Sequence, residues 1–477
     1  MPTVSLADIS PAIALGPLDG RYRKDTADLV DHLSEAALNR NRITVEVEWF
    51  IHLAQNSVIE GVRRLTEDEV IGLRAFAQNF DAETIATLAA HEAVTVHDVK
   101  AVEYTIKEAL VDLGAEDLSE LVHFCCTSED INNLSWALGI KGATVDVWLP
   151  RAKALIDSLA DTASALAEVP MLSHTHGQPA TPTTMGKELA VFIHRLRRQY
   201  ERIEGNEFLG KINGATGTYS AHLAAVPGAD WPKLAKTFVE GSLGLTFNPL
   251  TTQIESHDWD AELFADIARF NRIAHNLATD MWTYISMNYF KQIPVAGSTG
   301  SSTMPHKVNP IRFENAEANL ELSCALLDSL ASTLVTSRMQ RDLTDSTSQR
   351  NIGVAYGHSV LALNNLVNGL ERLAINEEAL AADLDSNWEV LGEAIQSVMR
   401  AAGLQGVPGM DSPYEKLKEL TRGKRIDQTD LQSFVAGLGL PEAETELLTA
   451  LTPATYVGVA AQLAESEVAD WKARTQG

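Results

Sequence analysis

Apolar residues recur in this chain at intervals of three and four over long stretches, and that spacing restricts it to a helical fold. Ile85, Leu88 and Ala89, then Val102, Ile106 and Leu110, and later Leu189, Ile193, Leu196 and Tyr200 each line one face of a helix. Alternating β-branched runs are few. The pattern predicts helices over residues 35–60 and 66–113, a run from Thr127 to near Leu149, and another through 150–168. It also predicts a helix of roughly 20 residues starting at Pro182, and long helices over 258–290 and 311–335. In the last of these, Asn315 and Asn319 share an expected polar face, with Leu322, Leu326 and Leu330 on an apolar one. The expected class is all-α, with an elongated helical bundle in its middle. From about Asn376 the pattern shortens, with an interruption at Gly403–Pro413 and a basic run from Lys416 to Arg425. The first 20 residues are small, apolar and proline-spotted, and read as a loosely ordered arm.

Charge and cysteine usage exclude several functions. A net charge of −26 over 477 residues argues against nucleic acid or an anionic membrane surface as partner. Three cysteines, two of them adjacent (Cys125 and Cys126, with Cys324), make neither a disulfide framework nor a zinc spacing, and a reducing cytoplasm is expected. The N-terminus lacks a basic leader pattern and no run approaches 18 apolar residues, so neither a signal peptide nor a membrane span is expected. No repeat of solenoid period is visible.

Against this helical background, Gly297–Pro310 stands apart, with two glycines, five hydroxyl side chains, two prolines and one lysine. Glycine and proline interrupt regular elements, while backbone N–H groups, hydroxyls and Lys307 together suit an anion. The run leads into the helix at Pro310, whose N-terminus adds a positive dipole end. Ser337–Arg350 is dense in donors: Arg338, Arg341 and Arg350 with Ser346 and Ser348 could cradle a phosphate. Thr127 and Ser128, followed by Glu129 and Asp130, form an N-cap that also suits a carboxylate, though capping alone explains the pattern. His174 and His176, two apart, lack the companions of a metal site. Gly210–Gly217 fails as a phosphate loop, because its lysine precedes the glycines, and reads as a turn between long helices.

Ser301-Ser302-Thr303-Met304-Pro305-His306-Lys307-Val308-Asn309 resembles the signature of the fumarase/aspartase superfamily. His123–Asn133 and Thr175–Thr181 resemble two further regions shared across it, and the resemblance runs from about Pro17 to about Val457. It implies a three-domain all-α fold, divided here as 1–118, 119–372 and 373–477. The long central helices are expected to merge into a larger bundle in a homotetramer, each active site drawing on three subunits. The implied reaction is release of fumarate from succinylated purine nucleotides, with no metal or organic cofactor. Lyases of the fumarase, aspartase or argininosuccinate type, and an inactive structural descendant, are the alternatives; the former need no phosphate cluster. By the same resemblance His176 is the general acid and Ser301 the general base. Arg21, Tyr22, His97, Asp98, Thr127, Ser128, Gln253, Lys307, Asn309, Asn315, Arg341, Ser346 and Arg350 are expected to bind substrate, with Arg341, Ser346 and Arg350 at its nucleotide end.

Overall fold

The computed structural model describes residues 14–294, 304, 307–421 and 426–476. Most of the expected N-terminal arm, Ser301 with residues 295–303, and part of the basic run at 416–425 lie outside the described residues. Two compact units divide the chain: Met1–Ala152, Gln199–Arg272 and Ala318–Leu363 form the first, and Lys153–Arg198, Ile273–Glu317 and Asn364–Gly477 the second. Both are predominantly helical, with short strand pairs.

In the first unit, α1 (Glu35–Gln55) starts where the Ser34 hydroxyl accepts the Ala37 N–H at 3.1 Å. The helix expected over 66–113 is three helices: α2 (Glu67–Gln78), α3 (Ala82–Thr95) and α4 (Asp98–Asp112). Apolar spacing runs through both breaks, but capping overrides it. Asp81 accepts the Glu83 and Thr84 N–H groups, each at 3.0 Å, and Val96 adopts a left-handed φ of +50° that ends α3. Ile43, Val47 and Phe50 of α1 share one core with Val102, Ile106 and Leu110 of α4. Full burial of such a side chain contributes roughly 1.5–3 kcal/mol.

Helix α5 (Ser128–Gly142) does not end near Leu149. It passes through a π-turn, Ala143–Trp148, into α6 (Leu149–Ala165). Pro150 cannot donate to the carbonyl four residues back, and the wider π-turn before it accommodates the missing bond. Segments of α8 (Asp258–Ser286), α9 (Ile311–Leu334) and α11 (Ile352–Leu370) complete this unit. A buried polar ladder sets their register: Trp148 Nε1 donates to Ser359 Oγ at 2.9 Å and Ser359 to Asn271 at 2.8 Å. Asn271 in turn donates to Ser323 at 3.1 Å, and Ser323 to the Ala355 carbonyl at 2.7 Å. The expected faces of α9 hold only in part. Asn319 is buried against His358 at 2.8 Å while Leu322 is 51% exposed; of the three leucines expected inside, Leu330 is buried. Polar residues pack inward because α11 presents matching donors and acceptors. A two-residue parallel pair, β3 (Leu209–Gly210) with β4 (Thr246–Phe247), also lies in this unit.

The second unit carries an antiparallel hairpin, β1 (Pro170–Thr175) and β2 (Gln178–Thr184). The helix expected from Pro182 therefore begins later, as α7 (Met185–Glu204). Threonines 181, 183 and 184 are β-branched, and prolines 179 and 182 disfavour helix for the residue before each, so the segment extends and pairs. Strand β5 (Phe290–Gln292) pairs with β6 (Leu373–Ile375). Trp388, Leu391, Met399, Leu431 and Val435 form a core among the short C-terminal helices. Trp471, on the last helix (Ala460–Gln476), is fully buried and donates to Asp157 of α6 at 2.8 Å.

Candidate active site

In the first unit the candidate residues gather around the N-terminus of α5. The Thr127 N–H donates to Asp130 at 2.9 Å, and the fully buried Asp130 carboxylate accepts Lys211 Nζ at 2.8 Å and the Asn213 N–H at 2.9 Å. Lys211 is fully buried too, and it anchors the turn expected over Gly210–Gly217. Its backbone N–H and C=O pair with Asn133 at 2.8 and 3.0 Å. Such a buried ion pair persists only when further hydrogen bonds satisfy both partners. Gly217, at φ +74°, lets this loop meet residues 251–253; a Cβ there would sit 2.3 Å from the Thr251 carbonyl oxygen.

From that base the contacts run outward to the arginine segment. Gln253 donates to the Ala215 carbonyl at 3.0 Å and accepts from Arg341 at 3.2 Å, while Thr252 donates to the Gln340 carbonyl at 3.0 Å. Arg341 also donates to Glu129 at 2.9 Å. Glu129 accepts from Asn132 at 2.9 Å, Asn132 accepts from Arg42 at 2.9 Å, and Arg42 donates to Asp98 at 2.6 Å. Burial alone would raise the Asp98 pKa, but the Arg42 guanidinium and the Val99 N–H outweigh it and hold the carboxyl below its ordinary value. His97 is exposed and N-caps α4, its Nδ1 accepting the Lys100 N–H at 3.2 Å, which leaves the proton of the neutral ring on Nε2.

Four sequence-distant candidates, Asp98, Thr127, Gln253 and Arg341, are thus linked through residues that sequence reading did not select: Arg42, Glu129, Asp130, Asn132 and Lys211. A cationic residue inside the glycine run was the one visible hint. Ser128 is the first residue of α5. Ser346 and Arg350 form a separate pair, Arg350 donating to the Ser346 carbonyl at 2.8 Å, to its hydroxyl at 3.1 Å and to Glu35 at 3.2 Å. The Arg21 guanidinium lies 5.9 Å from the Tyr22 ring centre.

His176, Lys307, Asn309 and Asn315 belong to the second unit. His176 and Gly177 are the two central residues of the β1–β2 turn, at φ +54° and +71°, the signature of a tight type I′ hairpin. A left-handed histidine costs roughly 1–2 kcal/mol, and the strand ladder holds it there with the ring exposed. Lys307 is exposed just before α9, and Asn315 accepts from Asn365 at 2.9 Å.

Beyond Gln253, His257 is buried with Nδ1 2.8 Å from Asp260 and Nε2 3.7 Å from Asp345. Burial opposes its charge, yet pairing with Asp260 and Asp345 and the nearby Glu255 outweigh that and push its pKa up to about 10. A raised pKa means that the folded state holds this proton more tightly than the unfolded state. The stabilisation is therefore full below the ordinary histidine pKa of about 6.5 and disappears as pH rises through about 10. His257→Gln is expected to flatten the fall in unfolding free energy between pH 7 and 10, measured by urea denaturation. Parallel curves for parent and variant would refute this.

Comparison with known proteins separates the superfamily's branches. Residues 20–324 match the lyase family model, and residues 337–457 match the adenylosuccinate lyase C-terminal model, whose range takes in Arg341, Ser346 and Arg350. The chain is 49% identical to adenylosuccinate lyase of Escherichia coli (strain K12) over 452 residues, 94% of this chain and 98% of that one. It belongs to the adenylosuccinate lyase family. Adenylosuccinate lyase of Vibrio cholerae serotype O1 is 48% identical over 461 residues, covering 96% of this chain and 99% of the relative. A solved fumarate lyase from Mesorhizobium sp. BNC1 superposes with a TM-score of 0.74 at 19% identity, over 93% of this chain and 97% of that one. At that identity the likeness speaks for the all-α fold, in accord with the expected class.

Proposed function

We propose that this chain is a carbon–nitrogen lyase that eliminates fumarate from adenylosuccinate, giving AMP, and from the succinylated aminoimidazole carboxamide ribotide, giving AICAR. The observation that carries this is the 49% identity to the Escherichia coli adenylosuccinate lyase over 94% of the chain. Incubation with adenylosuccinate, followed through the change in purine absorbance, tests it; no change with folded protein would remove the assignment.

The chemistry asks for three things. A base takes the proton from the carbon beside a carboxylate, leaving a doubly charged aci-carboxylate that fixed donors must hold. The C–N bond then breaks, its electrons pass to the purine nitrogen, and a general acid protonates that nitrogen as fumarate departs. His176 is assigned the acid on sequence resemblance, imidazole being the side chain suited to moving a proton near neutral pH. Ser301, outside the described residues, is assigned the base on sequence resemblance. Lys307, Asn309, Asn315 and the N-terminus of α9 are assigned to the carboxylates, with Thr127 and Ser128. His97, Asp98 and Gln253 are assigned substrate contacts, and Arg21, Tyr22, Arg341, Ser346 and Arg350 the nucleotide end. The hydrogen bonds already held by Arg341 and Arg350 support that last reading, because a guanidinium fixed before binding loses less freedom on meeting phosphate. The same proposal includes a homotetramer with shared sites, the three-domain division and a cytoplasmic location. Among the described residues no helix is long and apolar enough to cross a membrane.

Arg341→Ala and Arg350→Ala are expected to weaken AMP binding by roughly 10- to 100-fold each, the worth of hydrogen bonds to a charged group. Calorimetric titration with AMP measures this. Parental affinity in both variants would place the phosphate site elsewhere.

A further inference from the structure

His257 has a backbone φ of +60° and is 4% exposed, a conformation uncommon for a residue with a side chain. Three buried carboxylates face it. Asp260, in the first turn of α8, lies 2.8 Å from Nδ1, and Asp345, in the short helix α10 (Thr344–Gln349), lies 3.7 Å from Nε2. Glu255 accepts the His257 N–H at 2.8 Å and is itself bound by Asn248 at 2.7 Å. Among the described residues no lysine or arginine forms an ion pair with Asp260, Asp345 or Glu255. Asp345 in turn accepts the Ser346 N–H at 2.6 Å, next to the candidate nucleotide contact.

Helix α10 spans six residues and has little stability of its own. The ion pairs flanking it, Arg338 with Asp342 and Arg350 with Glu35, are solvent-exposed and hold it weakly. Its buried ionic tie is the one from Asp345 to His257, which lies four residues after Gln253 in the segment that also touches Arg341. We propose that His257 is a positioning residue, a strut from the first turn of α8 to α10 that sets Ser346 and Arg350 in place relative to Gln253 and Arg341. It touches no substrate and acts through Asp345. Its effect falls on nucleotide binding, since the assigned acid and base belong to other segments.

The substrate readout rests on the proposed lyase function, so the parent is first assayed with adenylosuccinate; absence of turnover would sink that function and leave the strut to a second, substrate-free readout. That readout is hydrogen–deuterium exchange across Thr344–Gln349. His257→Gln and Asp345→Asn are each expected to raise KM about 10-fold, with kcat within about twofold of the parent. Both should also speed exchange in α10. The double variant should be no worse than the worse single one, because either change cuts the same tie. Unchanged KM and exchange, effects that multiply in the double variant, or loss of kcat at constant KM would each overturn the proposal. Should His257→Gln fail to fold, Asp345→Asn alone decides: parental exchange in α10 would overturn the strut.

Discussion

Turnover of adenylosuccinate is expected to fall by at least roughly 10²- to 10⁴-fold in His176→Ala and in Ser301→Ala, the loss typical of removing a general acid or base. The His176 variant needs a companion, because alanine tolerates the left-handed conformation of the hairpin turn poorly. Asparagine adopts that conformation more readily than other non-glycine residues and cannot act as an acid near neutrality. His176→Asn should therefore match the activity loss of His176→Ala while keeping parental thermal stability. The ring is exposed and removes little apolar packing when lost. Near-normal turnover of either purified position variant would take that residue out of the mechanism. Activity lost only in proportion to unfolded protein would point to the turn rather than the ring.

Subunit mixing should produce the second large effect. If each active site takes its histidine and its serine from different protomers, His176→Ala and Ser301→Ala chains refolded together should regain activity that neither has alone. A repaired site needs its histidine from one variant and its serine from the other. With random equal mixing in a symmetric oligomer, about one site in four qualifies, so recovery should approach a quarter of parental activity. Each variant denatured and refolded separately serves as control. Complete reassembly without regained activity would mean that the two residues come from one chain.

The boundaries of the helices show where sequence reading stops. The three-and-four spacing of Val102, Ile106 and Leu110 anticipated a buried helical face, and all three are fully buried. The same spacing ran across residues 79–81 and 96–97, where capping by Asp81 and the turn at Val96 divide one expected helix into three. On α9, polarity misled at Asn319, which turned inward because His358 on α11 offers it a partner, while Leu330 is buried as expected. The candidate site divides in the same manner. Gln253 and Arg341 were selected by resemblance, and the structure joins them at 3.2 Å, while Ser301 lies outside the described residues.

Sequence by itself determined the helical class and the family, and proposed the candidate site residues, because apolar period and motif are local properties readable within one or two turns of chain. Tertiary structure alone decided which charges hold those residues in place. Lys211 meets Asp130 across 81 positions and Arg341 meets Glu129 across 212. Nothing in the local pattern marks either pair, since a charge becomes a structural anchor only when folding takes it out of water beside its opposite. The left-handed histidine at the tip of β1–β2 has the same origin: its conformation is strained in isolation, and the paired strands on either side impose it.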